Sequence, residues 1–241
     1  MSLAADNLLV VLHQIRSPDN LGAIARLMAN FGYHQLVLSE PRTYTFRDAQ
    51  KVGVRADPVL ERMQIALNLR AAIDEAVCAF ATTSRQNVKG RSVLSPEHAM
   101  AKLAEASLSG KVALVFGGEK RGLSDDELSL CQEIVVIPTR PQQPSMNLAQ
   151  SAAILLYLCS RAEIGSEQPA EEHAAKLRLI HALEEAIHQV LLATGYLNPQ
   201  APDRVLRELQ RSLLRGRLTQ REAEMWLAAF KHLMRSVART D

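Results

Sequence analysis

The sequence predicts an α/β domain built on a parallel β-sheet, followed by a small all-α domain. Over the first two thirds, short apolar runs typical of buried parallel strands alternate with segments of helical periodicity. Beyond residue 170, apolar residues recur only at helical spacing. The stretch Gly165-Ser-Glu-Gln-Pro-Ala170 breaks the composition in the way a linker does. The predicted boundaries are therefore 1–164, a linker at 165–170, and 171–241.

The elements of the first domain follow from where the apolar runs begin and end. Residues 8–15 are almost continuously apolar, as expected of a central strand, and Gly32 stops the helical pattern that follows. Further strands are predicted at 33–39, 77–83, 111–117 and 133–137. Helices are predicted at 20–31, 45–52, 59–76, 95–108, 124–131 and 147–164. This alternation predicts a parallel sheet with right-handed crossovers.

Three helices are predicted in the second domain. The first starts near Leu177 and is ended by Gly195. The second occupies 203–215. Thr219 and Glu222 have the spacing of a capping box, which opens the third helix.

Composition limits the classes of function. Apolar residues make up 47% and charged residues 22% of the chain, as in ordinary globular proteins. The net charge is only +2, so any surface for nucleic acid must be local. Three widely spaced cysteines favour free thiols in a reducing compartment. Because we find no signal peptide and no apolar run long enough to span a bilayer, we expect a cytoplasmic protein with no membrane partner.

Three motifs stand at the ends of predicted strands. The first is Asn20-Leu-Gly-Ala-Ile-Ala-Arg26, in which Asn20 is a candidate N-cap and Gly22 allows close approach of a backbone or a ligand. The second is Phe116-Gly-Gly-Glu-Lys-Arg-Gly-Leu-Ser124, whose paired glycines leave the main chain open to a flat ligand. The third, residues 137–151, has three prolines that stiffen an exposed loop before a helix whose first amides lack intrahelical partners.

In type, order and spacing, these motifs resemble those of the SPOUT class of RNA methyltransferases, and within it the TrmH-like 2′-O-ribose branch. The resemblance covers about residues 7–164. It implies an α/β domain with a C-terminal trefoil knot, in which the chain after Ile137 passes through an earlier loop. It also implies a homodimer, with helices 20–31 and 147–164 at the interface. The interface residues expected on these helices are Leu21, Met28, Leu155 and Leu158.

The same resemblance implies five residues that carry or support catalysis: Asn20, Arg26, Glu119, Ser145 and Asn147. The arginine matches the residue implicated in activating the ribose 2′-hydroxyl. Because a guanidinium stays protonated, we expect Arg26 to hold the neighbouring phosphate and polarise the hydroxyl rather than to act as a base. Glu119 could orient Arg26, contact the nucleoside or cap local N–H groups.

The cofactor implied by the resemblance is S-adenosyl-L-methionine, held by the proline loop and two other strand ends. The residues expected to line it are Thr82, Thr83, Ser84, Gly117, Gly118, Ile137, Pro144, Ser145, Met146 and Leu148. A sulfonium is already an activated methyl donor, so this chemistry needs no metal. No pair of histidines has the spacing of metal ligands, and no metal site is predicted.

A stripe of arginines on the second helix of the all-α domain is the predicted RNA surface. Arg204, Arg207, Arg211 and Arg215 fall on one side of this helix, opposite its leucines. A solvated helix face usually mixes charges of both signs, whereas a stripe of one sign suits phosphate groups. The stretch 198–227 also resembles the C-terminal extension of the tRNA ribose methyltransferases that modify the first nucleotide of the anticodon loop.

The sequence therefore predicts 2′-O-methylation of a ribose in tRNA, at nucleotide 32 of the anticodon loop, with Arg121 as a further RNA contact. Another tRNA or rRNA site is the alternative. A nucleotide-dependent oxidoreductase would need a Gly-x-Gly-x-x-Gly turn after the first strand, and residues 13–22 lack it. A non-catalytic RNA-binding protein would have no reason to keep Arg26, Glu119 and Asn147 together.

Overall fold

A computed structural model describes residues 3–42, 46–162, 174–197 and 203–237, apart from four side chains at the edges of these ranges. Those side chains are Phe46, Asp203, Arg204 and Val237. The chain divides into two compact units, Met1–Pro169 and Ala170–Asp241. The predicted linker at 165–170 lies outside the described residues.

The first unit is organised around one six-stranded parallel sheet, as predicted. Its strands are β1 (Leu8–His13), β2 (Gln35–Ser39), β3 (Gln64–Ala66), β4 (Cys78–Thr82), β5 (Val112–Phe116) and β6 (Glu133–Val135). Their order across the sheet is β3-β2-β1-β5-β4-β6, and every paired neighbour is parallel. The central strands β1 and β5 are buried along their whole length, which explains their continuous apolar sequences.

Helices cover the sheet and connect its strands. They are α1 (Pro18–Asn30), α2 (Phe46–Val52), α3 (Asp57–Glu61), α4 (Leu69–Ile73), α5 (Pro96–Ala106), α6 (Asp125–Ser129) and α7 (Leu148–Arg161). A short 3₁₀ turn, Ala5–Asn7, precedes β1. Helix α7 packs against both α1 and α5.

Three local predictions for the first unit are wrong. The helix predicted at 59–76 is in fact α3, β3 and α4, because Gln64–Ala66 pairs with β2 and Asn68 caps a new helix. Strand β1 ends at His13 rather than at residue 15, because Gln14 adopts a left-handed φ of 54°. The N-cap of α1 is Ser17, whose hydroxyl accepts from the Asn20 N–H, so Asn20 lies inside the first helical turn.

Most of the side chains predicted for the dimer interface are buried within the single chain instead. Leu21, Met28 and Leu155 are 0% exposed within the single chain, so they belong to its own core and cannot contact a second copy. Leu158 is only partly buried against that core. Tyr157 remains 53% exposed on α7, and its ring lies 6.2 Å from the ring of Phe31.

The described residues of the second unit form three helices: α8 (Leu177–Ala193), α9 (Asp203–Gly216) and α10 (Gln220–Val237). Helix α10 packs against α8. Gly195, with a φ of 69°, follows the end of α8 as predicted. The predicted capping box is present, because the Thr219 N–H donates to Glu222 Oε2 and the Glu222 N–H donates to Thr219 Oγ1.

The three cysteines, Cys78, Cys131 and Cys159, are buried free thiols. Burial raises the pKa of both Cys131 and Cys159 to about 12. These thiols therefore stay protonated at neutral pH, and we assign them to packing rather than to chemistry.

Candidate active site at the carboxyl edge of the sheet

A cavity of about 490 Å³ opens where β4, β5 and β6 end. Because these strands are parallel, their carboxyl ends meet at one edge of the sheet and bring their loops together. All ten residues predicted to line the cofactor lie on its wall: Thr82, Thr83, Ser84, Gly117, Gly118, Ile137, Pro144, Ser145, Met146 and Leu148. Their contact with a cofactor stays a prediction, but the structure gathers them around one space of the size that small ligands occupy.

The proline loop is held in shape by its own hydrogen bonds. Thr139 Oγ1 donates to the Pro144 carbonyl over 2.9 Å, and the Gln143 N–H donates to the Arg140 carbonyl over 3.0 Å. Helix α7 then begins at an N-cap, Asn147.

Two of the amides at the start of α7 are satisfied by the side chain of the N-cap rather than by the helix backbone. Asn147 Oδ1 accepts from the N–H of Ala149 over 2.8 Å and from that of Gln150 over 3.3 Å. Two N–H groups of the first turn are thus used by the cap rather than left for a ligand.

Glu119 is the centre of a hydrogen-bond network that joins the first motif to the second. Its carboxylate accepts from the backbone N–H groups of Arg16 and Ser17 and from Asn20 Nδ2, each over 3.0 Å. Asn20 Oδ1 in turn accepts from Asn147 Nδ2 over 3.1 Å. Glu119, Asn20 and Asn147, from three separate motifs, therefore form one connected chain.

The orientation of each amide in this chain is determined by its two ends. An ionised carboxylate can only accept, so Asn20 must turn its NH₂ towards Glu119 and its oxygen towards Asn147. The N–H groups of α7 can only donate, so Asn147 must turn its oxygen towards the helix and its NH₂ towards Asn20. Both requirements agree, and every link in the chain has a donor facing an acceptor.

The network also determines the charge of Glu119. Burial on its own would raise the pKa of this carboxyl. The hydrogen bonds from Asn20, Ser17 and Arg16 together outweigh that effect and hold the pKa below its ordinary value. Glu119 is therefore ionised at neutral pH and poorly suited to act as a general base. Of its three candidate roles, the structure shows the capping of local N–H groups.

Arg26 stands apart from this network. Its side chain is exposed on α1 and does not line the cavity. No hydrogen bond or ion pair joins it to any residue that the structure describes, including Glu119. Ser145, by contrast, is both exposed and part of the cavity wall.

The glycines of the first two motifs are required by backbone packing. A Cβ on Gly22 would lie 2.1 Å from the Ala49 carbonyl oxygen, so this glycine lets α1 contact α2. A Cβ on Gly118 would lie 2.7 Å from the Gln14 carbonyl oxygen. At both positions the main chain itself explains the missing side chain, although Gly118 also lies on the cavity wall.

Arg121 belongs to a second hydrogen-bond network, which also includes Gln14, Glu127 and His13. Its guanidinium forms a two-pronged contact with Glu127, at 3.1 Å and 2.6 Å, and also donates to Gln14 Oε1. Glu127 Oε1 lies 2.8 Å from Nε2 of the buried His13, whose Nδ1 lies 2.9 Å from Ser39 Oγ. The contact with the carboxylate requires the proton on Nε2.

This second network strongly favours ionised Glu127. Burial would raise its pKa, but the Arg121 guanidinium, the Ser124 N–H and His13 lower it to about 2. The sequence patterns did not reveal the contact between His13 and Glu127. The available signal was the spacing of Ser124 and Glu127, which form a capping box at the start of α6.

Arg85 and Lys120 also line the cavity, although neither was predicted to lie there. Arg85 is held by Asp125 at 2.6 Å and by the Leu123 carbonyl at 2.8 Å. It therefore ties the loop after β4 to the start of α6.

The predicted RNA-binding arginines of α9 differ in exposure. Arg207 and Arg215 are exposed, whereas Arg211 is half-buried and its Nε is shielded from solvent without a hydrogen-bond partner. The side chain of Arg204 lies outside the described residues. A continuous surface stripe is therefore only partly visible on this helix.

The described residues also bear on metal binding and on membrane insertion. Those ranges contain no group of three or more His, Cys, Asp or Glu side chains that could hold a metal ion. Within the same ranges, no helix is both long and apolar enough to cross a membrane.

Known proteins resemble this chain over most of its length. Residues 7–157 match the SpoU rRNA Methylase family. The tRNA (cytidine/uridine-2′-O-)-methyltransferase TrmJ of Klebsiella pneumoniae is 31% identical over 218 residues, 88% of this chain and 89% of its own. The tRNA (cytidine/uridine/adenosine-2′-O-)-methyltransferase TrmJ of Pseudomonas aeruginosa is 30% identical over 233 residues, 90% of each chain.

The architecture agrees with these sequence matches. The crystal structure of TrmJ from Z. mobilis ZM4 superposes with a TM-score of 0.81 at 26% identity, covering 93% of this chain and 98% of that one. The family match spans the parallel sheet and all three motifs around the cavity. The chain therefore belongs to the SpoU rRNA Methylase family, as the three motifs predicted.

Proposed function

We propose that this methyltransferase modifies the 2′-hydroxyl of a ribose in tRNA, at nucleotide 32 of the anticodon loop. The observation that carries the proposal is the cavity at the carboxyl edge of the sheet, with the Glu119–Asn20–Asn147 network beside it. The relatives named above support tRNA as the substrate and the ribose 2′-hydroxyl as the acceptor. The choice of nucleotide 32 rests on the resemblance of residues 198–227.

The residues of the cavity fit S-adenosyl-L-methionine, which supplies a methyl group activated by its sulfonium. Apolar side chains of Phe116, Val135, Ile137 and Leu148 offer a surface for the adenine ring. The polar turn at 82–84 and the backbone of the proline loop offer hydrogen-bonding groups around it. A cavity of about 490 Å³ is large enough for a ligand of this size.

The chain's own residues position the ribose rather than accept its proton. Glu119 is ionised and accepts three hydrogen bonds, so it holds the start of α1 against the second motif. Ser145 and Asn147 are exposed and line the cavity, where they can bind the nucleotide. Arg26 is free to hold the adjacent phosphate and polarise the hydroxyl, whose proton passes to water.

We also propose that the first unit is knotted and forms a homodimer. Strand β6 lies at one edge of the sheet, yet the chain that leaves it returns to form α7 against α1. Such a return supports a passage of residues 138–147 through an earlier loop. The exposed ring of Tyr157, next to Phe31, supports a contact surface on the outer side of α1 and α7. A tRNA substrate supports a location in the cytoplasm.

The experiment is mass spectrometry of nucleosides from tRNA incubated with the protein and S-adenosyl-L-methionine. We expect one 2′-O-methylated nucleoside, and we expect it to disappear when nucleotide 32 carries a 2′-deoxyribose. Omission of the cofactor is the control. Methylation of a base, or no methylation of any tRNA, would contradict the proposal. Because the family description names rRNA, rRNA fragments form a second arm, and methylation there alone would replace tRNA as the substrate.

A further inference from the structure

The cations around the cavity fall into two groups according to their partners. Arg85 and Arg121 each contact an acid at 2.6 Å, and each also donates to a second group. Their charges are therefore largely neutralised, and their main effect is to tie loops together. Arg121, which the sequence analysis assigned to RNA, belongs to this paired group.

Lys120 and Arg16 form the other group. Both side chains are exposed, and neither forms a hydrogen bond or an ion pair with any residue in the described ranges. Lys120 lines the cavity. Arg16 begins the loop before α1, and its backbone N–H donates to Glu119 Oε2. Lys120 follows Glu119 directly in the chain, and the Arg16 backbone is hydrogen-bonded to the Glu119 carboxylate. Both cationic residues are therefore positioned next to Glu119.

Glu119, the acid next to Lys120 in the chain, does not cancel these two charges by direct pairing. Both oxygens of Glu119 accept hydrogen bonds from two backbone N–H groups and the Asn20 amide. Neither the Lys120 ammonium nor the Arg16 guanidinium contacts that carboxylate. The loops on which they stand are fixed, because the same network holds the start of α1 and the paired arginines hold the loop after β5. Lys120 on the cavity wall and Arg16 beside Glu119 are two exposed cations without a described partner on a fixed frame, which suits a phosphate group.

We propose that Lys120 and Arg16 together bind a backbone phosphate of the RNA beside the ribose that is methylated, and that Arg121 only braces the loop. This inference rests on the proposed function, because it assumes that RNA enters at this cavity. The two cations act on binding of the RNA. The paired arginine acts on the stability of the loop.

The test measures tRNA affinity over a range of salt concentrations for the full chain. Arg16→Gln/Lys120→Gln should lower the log–log salt slope by about 0.7, since both cations hold one phosphate and each neutralised single-stranded phosphate contributes about 0.7. Each single change should lower it by about half as much. Arg62→Gln/Lys89→Gln is the matched control, because it also removes two exposed cations without a described partner, both away from the cavity wall.

Two further readouts separate contact from structural damage. The Arg16/Lys120 variant should keep its Tm, and Lys120→Arg should keep the salt slope. Arg16→Gln, at a residue that does not line the cavity, should keep its calorimetric affinity for S-adenosyl-L-methionine. Arg121→Gln should lower Tm and leave the slope unchanged. The inference is overturned if the Arg16/Lys120 variant has the same slope as the control, or if Arg121→Gln lowers the slope instead.

The proposed function is judged separately, by nucleoside analysis of the wild type. If the wild type binds tRNA without methylating it, the function fails while the salt slopes still decide the contact. If the wild type does not bind tRNA at all, both fail together.

Discussion

The loops that line the cavity and helix α9 both carry residues that were predicted to bind a ligand. The structure agrees with the prediction more closely for the loops than for the helix. Around the cavity, all ten predicted cofactor residues share one wall, and three predicted catalytic residues are hydrogen-bonded into one network. On α9, one predicted arginine is half-buried, and the side chain of another lies outside the described residues.

The difference follows from how each set of residues is positioned. A parallel sheet forces the ends of its strands to one edge, so motifs that follow separate strands must meet. On a single helix, spacing shows which residues share a side, but it does not show which neighbouring helix covers that side. Motifs at strand ends are therefore stronger indicators of a site than a stripe on a helix.

The largest expected effect tests whether Arg26, outside the cavity network, is nevertheless essential. We expect Arg26→Ala to lower the rate of methyl transfer by about 10²–10³-fold, the usual effect of losing one group that stabilises a transition state. Cofactor affinity should remain nearly unchanged, because Arg26 does not line the cavity. Turnover and calorimetric affinity measured on one sample check this. A parallel loss of both would show that Arg26 supports the cofactor site instead.

The second prediction concerns the arginines of α9. We expect Arg207→Gln and Arg215→Gln each to lower the salt slope of tRNA binding by about 0.7–0.9, because both side chains are exposed. Arg211→Gln should change the slope less and Tm more, because this side chain is half-buried. Salt titrations and thermal unfolding distinguish the two outcomes. Equal slopes for all three variants and the wild type would mean that this face is only solvated.

The third prediction concerns the network beside the cavity. Glu119→Ala leaves the N–H groups of Arg16 and Ser17 and the Asn20 amide without their acceptor. We expect a loss of at least about 1 kcal/mol in the free energy of unfolding. The two backbone N–H groups lie at the surface and regain water, but the buried Asn20 amide loses its acceptor. Chemical denaturation measures this. The control is Glu97→Ala. Glu97 is an exposed glutamate in the first turn of α5, and its replacement should change the free energy of unfolding little. A neutral Glu119→Ala would show that the network contributes nothing to the fold.

A fourth prediction is a pH dependence of stability that arises from Glu127. Its pKa is about 2 in the folded protein against an ordinary value of 4.5, so its ionised form favours the folded state. That contribution is fully present above pH 4.5 and is lost as the pH falls through 2. The difference in stability between wild type and Glu127→Gln should therefore shrink as the pH is lowered across this range. A difference that stays constant would contradict the assigned pKa.

Sequence patterns predicted the sheet and the members of the cavity wall, because buried strands and loop motifs have local signatures. They failed at β3, where only three residues pair with β2 and a segment of that length between two helices is too short to show a strand pattern. They also did not show that Arg121 is paired with Glu127 or that Leu155 is covered within the chain. Whether an arginine is paired, or a leucine is covered, depends on residues far away in the chain, and single-sequence spacing contains no information about them.

Cofactor binding at the cavity is the central claim, and a matched pair of neighbouring changes on α7 tests it most directly. Ser151 lines the cavity and is half-buried, whereas Gln150 is exposed and does not line it. By calorimetry, Ser151→Trp should weaken binding of S-adenosyl-L-methionine at least about tenfold, because the indole occupies part of the ligand's volume. Gln150→Trp should bind as the wild type does, and both variants should unfold cooperatively. Equal affinity of Ser151→Trp and wild type would contradict the assignment of this cavity to the cofactor.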